Sequence, residues 1–552
     1  MLTAAGLLIL AAFFAFCVYV PPLVISEKTT RITGPLTKDG RIDFLKHLEA
    51  TTYPPEMKTD DNGFRVFLRT FGDISESRGN EFMRRQRCEK LGLDPDEKPT
   101  LQMPKEPERI VEEYYKQKGE TAPEKPREFF AKPWTVEEYP MMKDWITAID
   151  APLDAVTKMV RKPVFFFPLL ESEEAIDVVE PEDLMGIMLP DMHLAREIAR
   201  QFQARANHRI AQGDIDGAIS DTISVFQLGR KVGTGGPLVQ CLTGLAIEGV
   251  GLSIPIAGNP QRQPSVEQLK RLVAAFEALP PTPPLKEAME WERCAGLSTL
   301  QSLCHDKDSS DDYTPLRRML AKSNTNVTYS YVNNAYDTVT AGTDPGVYRM
   351  TPEGSDRLKM RLTTFGRGKF AGMVFTGLML PAVGAFEEAI RRTECAGNMR
   401  RLTLALLMYK AEHGAFPGED WFERIKPYLG ENPERYLRCP SCPSAAEGTN
   451  YALILHEKEP ANLDTLLFVE LREPMPVEKA FYTPENALPN FGSRMVPKPI
   501  WSHHPGILVT TRRNGAVGYE SETEIDRYRL LGLEPPNDIE PGSDTPGKST
   551  HE

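Results

Sequence analysis

Cys439-x-x-Cys442 is the pattern in this 552-residue chain with the clearest capacity for chemistry. Two thiols at that spacing can supply half of a four-ligand zinc site, since each thiolate fills one tetrahedral position. The other half would have to come from Cys395, His413, His503 or His504, because no second C-x-x-C occurs. The same thiols could instead form a Cys395–Cys439 or Cys439–Cys442 bridge, or stay free. His504 and Asn514 could orient a proton transfer if they met. Nine residues separate them, however, and Asn514-Gly515 explains itself as a turn. Asp306, Asp308, Asp311 and Asp312 lack the turn glycine and the closing bidentate glutamate of a calcium loop, so they read as a solvated acidic loop. The glycines from Gly229 to Gly236 lack the Lys-Ser/Thr of a phosphate loop and read as a helix break. Glu287, Glu290 and Glu292 read as the solvated face of a helix. Gly-x-Ser-x-Gly does not occur. No catalytic residue, metal site or cofactor is therefore expected; Cys439, Cys442 and His504 remain the weak metal candidates.

Composition narrows the class. The length implies about three or four structural units. A hydrophobic fraction of 41% and a charged fraction of 26% are those of a folded protein. The 47 prolines exceed the usual share of about 5% and mark extended connectors. A net charge of −13 with no basic stripe argues against nucleic acid as a partner. Eight cysteines do not make a disulfide-dense scaffold. Residues 1–25 carry no charged side chain and could span a hydrocarbon core of about 30 Å as a helix. The run is too long for the apolar part of a typical signal peptide, and no Lys or Arg precedes it. It reads as an uncleaved anchor. Phe16 argues against a lipoprotein site at Cys17, where a small residue should precede the cysteine. Lys28, Arg31, Lys38 and Arg41 follow it; taken alone, the positive-inside rule would place them in the cytoplasm.

The elements that must position the cysteines come next. Residues 27–135 are mixed and linker-rich, with short helices near Asp43–Leu48, Phe64–Phe71 and Pro107–Lys118. A helical domain follows over 136–320. Its clearest part is Asp191–Gln212, a Gly213-Asp214 break, a second helix through Leu228, and a third from Leu238 to Ile256. That helix–turn–helix resembles a single tetratricopeptide-like pair and reads as an ordinary hairpin, since no copy recurs at fixed spacing. A connector is expected over 321–365. Leu378–Pro417 then forms a long helix in which Met399, Leu402, Leu406 and Tyr409 step by three, four and three. That stripe should face a sheet, while a helical domain docks on the helix's other side. Pro381 should kink or restart this helix, and Gly414 with Pro417 should end it. Apolar runs at Tyr451–Leu455, Leu466–Leu471, Ile507–Thr511 and Ala516–Tyr519 read as strands. The last two flank Asn514-Gly515, where both turn residues accept positive φ. The tail over 534–552 reads as disordered.

The region over 366–533 resembles the bacterial prepilin-type family whose signature is a histidine, nine residues, then Asp-Gly. The resemblance rests on Leu378–Val383 with Pro381, then Cys395, Asn398, Tyr409, His413, Gly414 and Pro417. It continues at Cys439-Pro440-Ser441 and Tyr451, and at His504 followed nine residues later by Asn514-Gly515. Two departures stand out. Asn514 replaces the aspartate, and the prepilin processing signal is absent, with Gly368, Phe370 and Ala371 at best its remnant. Thr30–Asp43 and residues 191–256 also resemble bacterial envelope proteins of unassigned function. Together with the apolar N-terminus and the helical periodicity, the resemblance gives an α+β fold: an N-terminal transmembrane helix (1–26), a mostly α-helical middle domain, and, as the resemblance implies, a pilin-like spine helix packed on a small antiparallel sheet. It implies a single-pass inner-membrane protein with its body outside the cytoplasm. Its expected partners are the membrane, through residues 1–25, and other envelope proteins, in a structural role without catalysis. The alternatives are a metal-dependent hydrolase at Cys439, Cys442 and His504, and a secretion-system pseudopilin. The second is disfavoured because Phe370–Val383 is too short to span a bilayer.

Overall fold

A computed structural model describes residues 21–73, 81–122, 132–171, 184, 189–280, 285–305, 323–341, 364–379, 381–442, 448–454, 464–483 and 507–521. Helices α1 (Phe44–Thr52), α2 (Gly63–Phe71), α3 (Glu81–Leu91), α4 (Pro107–Lys118) and α5 (Lys143–Val160) come first. A central block follows: α6 (Pro190–Gln212), α7 (Ile215–Val232), α8 (Leu238–Ser253), α9 (Val266–Glu277) and α10 (Leu285–His305). Then α11 (Thr325–Thr340) and α12 (Thr364–Met379) lead into the 33-residue spine α13 (Pro381–His413) and the short α14 (Trp421–Ile425). One sheet completes the fold, with β1 (Thr449–Ile454), β2 (Leu466–Met475), β3 (Phe481–Tyr482), β4 (Ile507–Arg512) and β5 (Val517–Ser521).

Turn chemistry sets the central block. Gly213 takes φ +78°, and the next amide, Asp214 N–H, donates back to the Arg209 carbonyl at 2.8 Å. Asp214 then caps α7 by accepting from Gly217 N–H at 3.0 Å. The buried Arg205 of α6 ties three helices together. Its guanidinium meets Asp221 of α7 at 2.6 Å and Asp154 of α5 at 3.0 Å. Where α7 crosses α8 the backbones nearly touch. A Cβ placed on Gly244 would lie 2.5 Å from the Gly229 carbonyl oxygen and 2.6 Å from Gly233 Cα. Phe64 and Phe67 of α2, Trp134, Trp145 of α5 and Phe202 of α6 share one core, so residues on both sides of position 135 pack together.

The spine carries the rest. Met399, Leu402, Leu406 and Tyr409 pack under Tyr451, Leu453, Phe468 and Val509 of the sheet, as the stripe requires. Leu404, Leu407 and Met408 on the opposite side pack on Ile210, Ile219, Ile254 and Leu269 of the helical block. Every residue from Leu402 to Tyr409 is buried. Arg400 is buried too, and its guanidinium donates to the Ile254 carbonyl at 3.1 Å, just past the C-terminus of α8. The negative end of that helix partly offsets the buried charge. Burial still pulls the Arg400 pKa down to about 9.

Several expectations change. The expected anchor lies outside the described residues over 1–20, and its described end, residues 21–25, is not helical. Val24 N–H donates to Asn326 Oδ1 of α11 at 2.7 Å, and Leu23 and Ile25 pack on a core that α11 shares. Among the described residues no helix is long and apolar enough to cross a membrane. The sheet is mixed, not purely antiparallel. Its order is β3-β1-β2-β4-β5, and the short β3 runs parallel to β1 while the other pairs are antiparallel. The stretch expected to connect over 321–365 contains α11, whose Tyr329, Val332, Tyr336 and Val339 are buried. The Asn-Gly hairpin forms, but Gly515 takes φ +85° while Asn514 stays at negative φ. Gly515 N–H donates to the Arg512 carbonyl at 2.9 Å, so one left-handed residue closes the loop instead of two. Pro381 restarts the spine as expected, since α12 ends at Met379 and α13 begins at Pro381. Gly414 ends it at φ +80°. The acidic loop, His503, His504 and the tail lie outside the described residues.

The α7–α8 contact makes a direct prediction. Gly244→Ala forces the two helices apart and should cost about 1–3 kcal/mol of stability in chemical denaturation. Wild-type stability in that variant would mean the crossing is loose.

Candidate functional site

The segment Leu437–Cys439 is fastened to the spine and to β1 by side chains that hydrogen-bond its backbone. Asn398 Nδ2, one turn along α13 from Cys395, donates to the Arg438 carbonyl at 3.0 Å. The Tyr451 hydroxyl donates to the same carbonyl at 3.0 Å and lies 3.4 Å from Cys395 Sγ. Thr449 Oγ1 donates to the Leu437 carbonyl at 3.0 Å, and Asn450 Oδ1 accepts from Cys439 N–H at 3.2 Å. The spine and β1 thus hold this segment from two sides. The result brings Cys395, Cys439 and Glu470 of β2 together, with their ligand atoms all within 4.8 Å of one another and all three side chains buried.

This group differs from the one sequence spacing favoured. Cys442 does not join it; its N–H closes a turn to the Cys439 carbonyl at 3.0 Å, and its side chain is half-buried at the edge of the core. His413 lies 18 positions along α13 from Cys395, about 27 Å by helical rise, and stacks on Tyr409 at 4.1 Å. His504 lies outside the described residues. Asn514 is structural: its carbonyl accepts from Ala257 N–H at 2.8 Å, fastening the hairpin tip to the helical block. Glu292, expected as solvated surface, instead accepts from Leu238 N–H at 2.8 Å at the start of α8. Glu470 was missed, although a lone glutamate inside the apolar run LLFVEL is the signal that marks it.

Nucleophilic chemistry is poorly served here. Burial holds the Cys395 thiol well above its usual range, and the neighbouring Cys439 and Glu470 raise it further. A thiol needs to ionise to attack, and a sealed one meets no substrate. The donors do fit a soft metal partly, with two sulfurs and one carboxylate. A closed zinc site takes four ligands, and among the described residues no histidine joins these three.

A separate cleft of about 290 Å³ opens between α7, α8 and α9 on one side and α13 on the other. Phe226, Leu245, Phe276 and Ile390 supply apolar wall, while Arg230 and Glu248 form an ion pair at 2.9 Å along it.

A family model described as a protein of unknown function (DUF1559) matches residues 385–453. That span runs from the first turns of α13 into β1 and so contains Cys395, Asn398, Cys439 and Tyr451. It ends before Glu470, His504 and Asn514-Gly515. No curated protein and no solved structure matches the chain.

The cleft carries a pH prediction. Burial pushes the Glu248 carboxyl from 4.5 up to about 7, outweighing the pull of Arg230. An acid raised on folding keeps its proton longer in the folded state. Its contribution is full below about pH 4.5 and is lost as pH rises to about 7, on the order of 3 kcal/mol. Glu248→Gln should flatten that decline in melting temperature between pH 5 and 8. An unchanged slope would assign the dependence to other groups.

Proposed function

We propose that this protein is a membrane-anchored envelope component of pilin-like ancestry that works by contacting other proteins, without catalysis. The observation that carries this reading is the spine. It keeps the helix-then-sheet order of the prepilin-type resemblance, and its second face is already filled by the helical block. A helix buried on both sides serves as an internal strut, not as a free filament helix. Its first half is also occupied, because Val383 and Phe386 pack with Leu297 of α10 and Val332 of α11. This speaks against the secretion-system pseudopilin. The burial of Cys395, Cys439 and Glu470 speaks against chemistry at that group. A hydrolase at Cys439, Cys442 and His504 would need Cys442 to turn inward and His504 to reach it.

The resemblance favours a body outside the cytoplasm. Residues 21–25, the end of the apolar run, dock on α11 and the core it shares, so the body would sit close against the membrane surface. Deletion of residues 1–20 should move the chain from the membrane to the soluble fraction with its helical circular dichroism intact. Protease should digest the body only after the outer envelope is permeabilised, while the inner membrane stays sealed. Digestion only after the inner membrane is opened would place the body in the cytoplasm and overturn the reading.

A further inference from the structure

We propose that Cys395 and Cys439 form a disulfide cross-link between the spine and the Leu437–Cys439 segment, closed by exchange with an external small-molecule disulfide as the chain folds. The proposal stands on the geometry; in the cell the exchange needs an oxidising compartment, so it rests on the reading that places the body outside the cytoplasm.

The native structure already holds the two sulfurs side by side. Asn398 and Tyr451 grip the Arg438 carbonyl from two elements, and Asn450 grips the Cys439 amide. The bond would close a loop of more than forty residues and remove that much freedom from the unfolded chain.

The chemistry balances. One cysteine thiolate attacks the external disulfide, forming a mixed disulfide and releasing one small thiol. The second cysteine displaces the other half as a second small thiol. The protein gives up two protons and two electrons, and the external disulfide takes both. The attacking thiolate is scarce once burial has raised the Cys395 thiol, so exchange belongs to folding, before the sheet covers the pair. After closure the same burial keeps reductant out, since Cys395 and Cys439 are 0% and 3% exposed.

The test uses the full chain, refolded with a mixture of oxidised and reduced glutathione. Thiols are then alkylated in denaturant and peptides mapped by mass spectrometry. The expected result is a Cys395–Cys439 cross-linked peptide, with the remaining cysteines alkylated. The link should survive reductant in native buffer, disappear when denaturant is added, and raise the unfolding midpoint relative to protein refolded in reductant. Cys442→Ser should leave it intact. Free thiols at both positions, a Cys439–Cys442 link, or stoichiometric zinc released with two free thiols would each overturn the proposal.

Discussion

The burial of α13 on two opposite sides is the constraint from which the rest of this fold follows. From Leu402 to Tyr409 the helix has no solvent face. Leu402 and Leu406 belong to the core beneath the sheet, and Leu404 and Leu407 to the core of the helical block. Each buried leucine contributes roughly 1.5–3 kcal/mol, so neither layer can leave without exposing several of them. Polar contacts reinforce the apolar ones at the same level of the helix. Arg400 reaches the end of α8 on one side, while Asn398 reaches the Arg438 carbonyl on the other. The hairpin tip adds a third tie, from the Asn514 carbonyl to Ala257.

This arrangement explains why motif residues of the prepilin-type resemblance read better as structure than as chemistry. Cys395, Asn398, Cys439 and Tyr451 meet in one lock between the spine, the Leu437–Cys439 segment and β1. Gly414 ends the spine, and Gly515 supplies the one left-handed residue of the hairpin. Each position has a mechanical task, and the family match over 385–453 covers most of the lock.

Much of this was legible in the sequence, and the gaps have physical causes. The stripe from Met399 to Tyr409, the Gly213-Asp214 turn and the Asn-Gly hairpin were readable because periodicity and turn chemistry are local. The α11 helix escaped because its sequence is rich in Thr, Asn and Tyr, although Tyr329, Val332, Tyr336 and Val339 step by three, four and three as the spine does. The strand β3 escaped because two residues carry no period. Glu470 escaped as a site residue because its partners lie 75 and 31 positions away on other elements. C-x-x-C spacing drew attention to Cys442 for the same reason: neighbours in sequence are easy to see, and partners across a layer are not.

The central claim is that the sheet and the helical block share α13 as one cooperative core. Hydrogen exchange followed by mass spectrometry across a denaturant series tests it most directly, comparing amides of β2 with amides of α7. The account predicts that both sets open through a common unfolding event. Leu404→Ala, on the helical side, should then lower the protection of both together, by about 2–5 kcal/mol. Opening of β2 at a lower free energy while α7 stays protected, unchanged by Leu404→Ala, would contradict it.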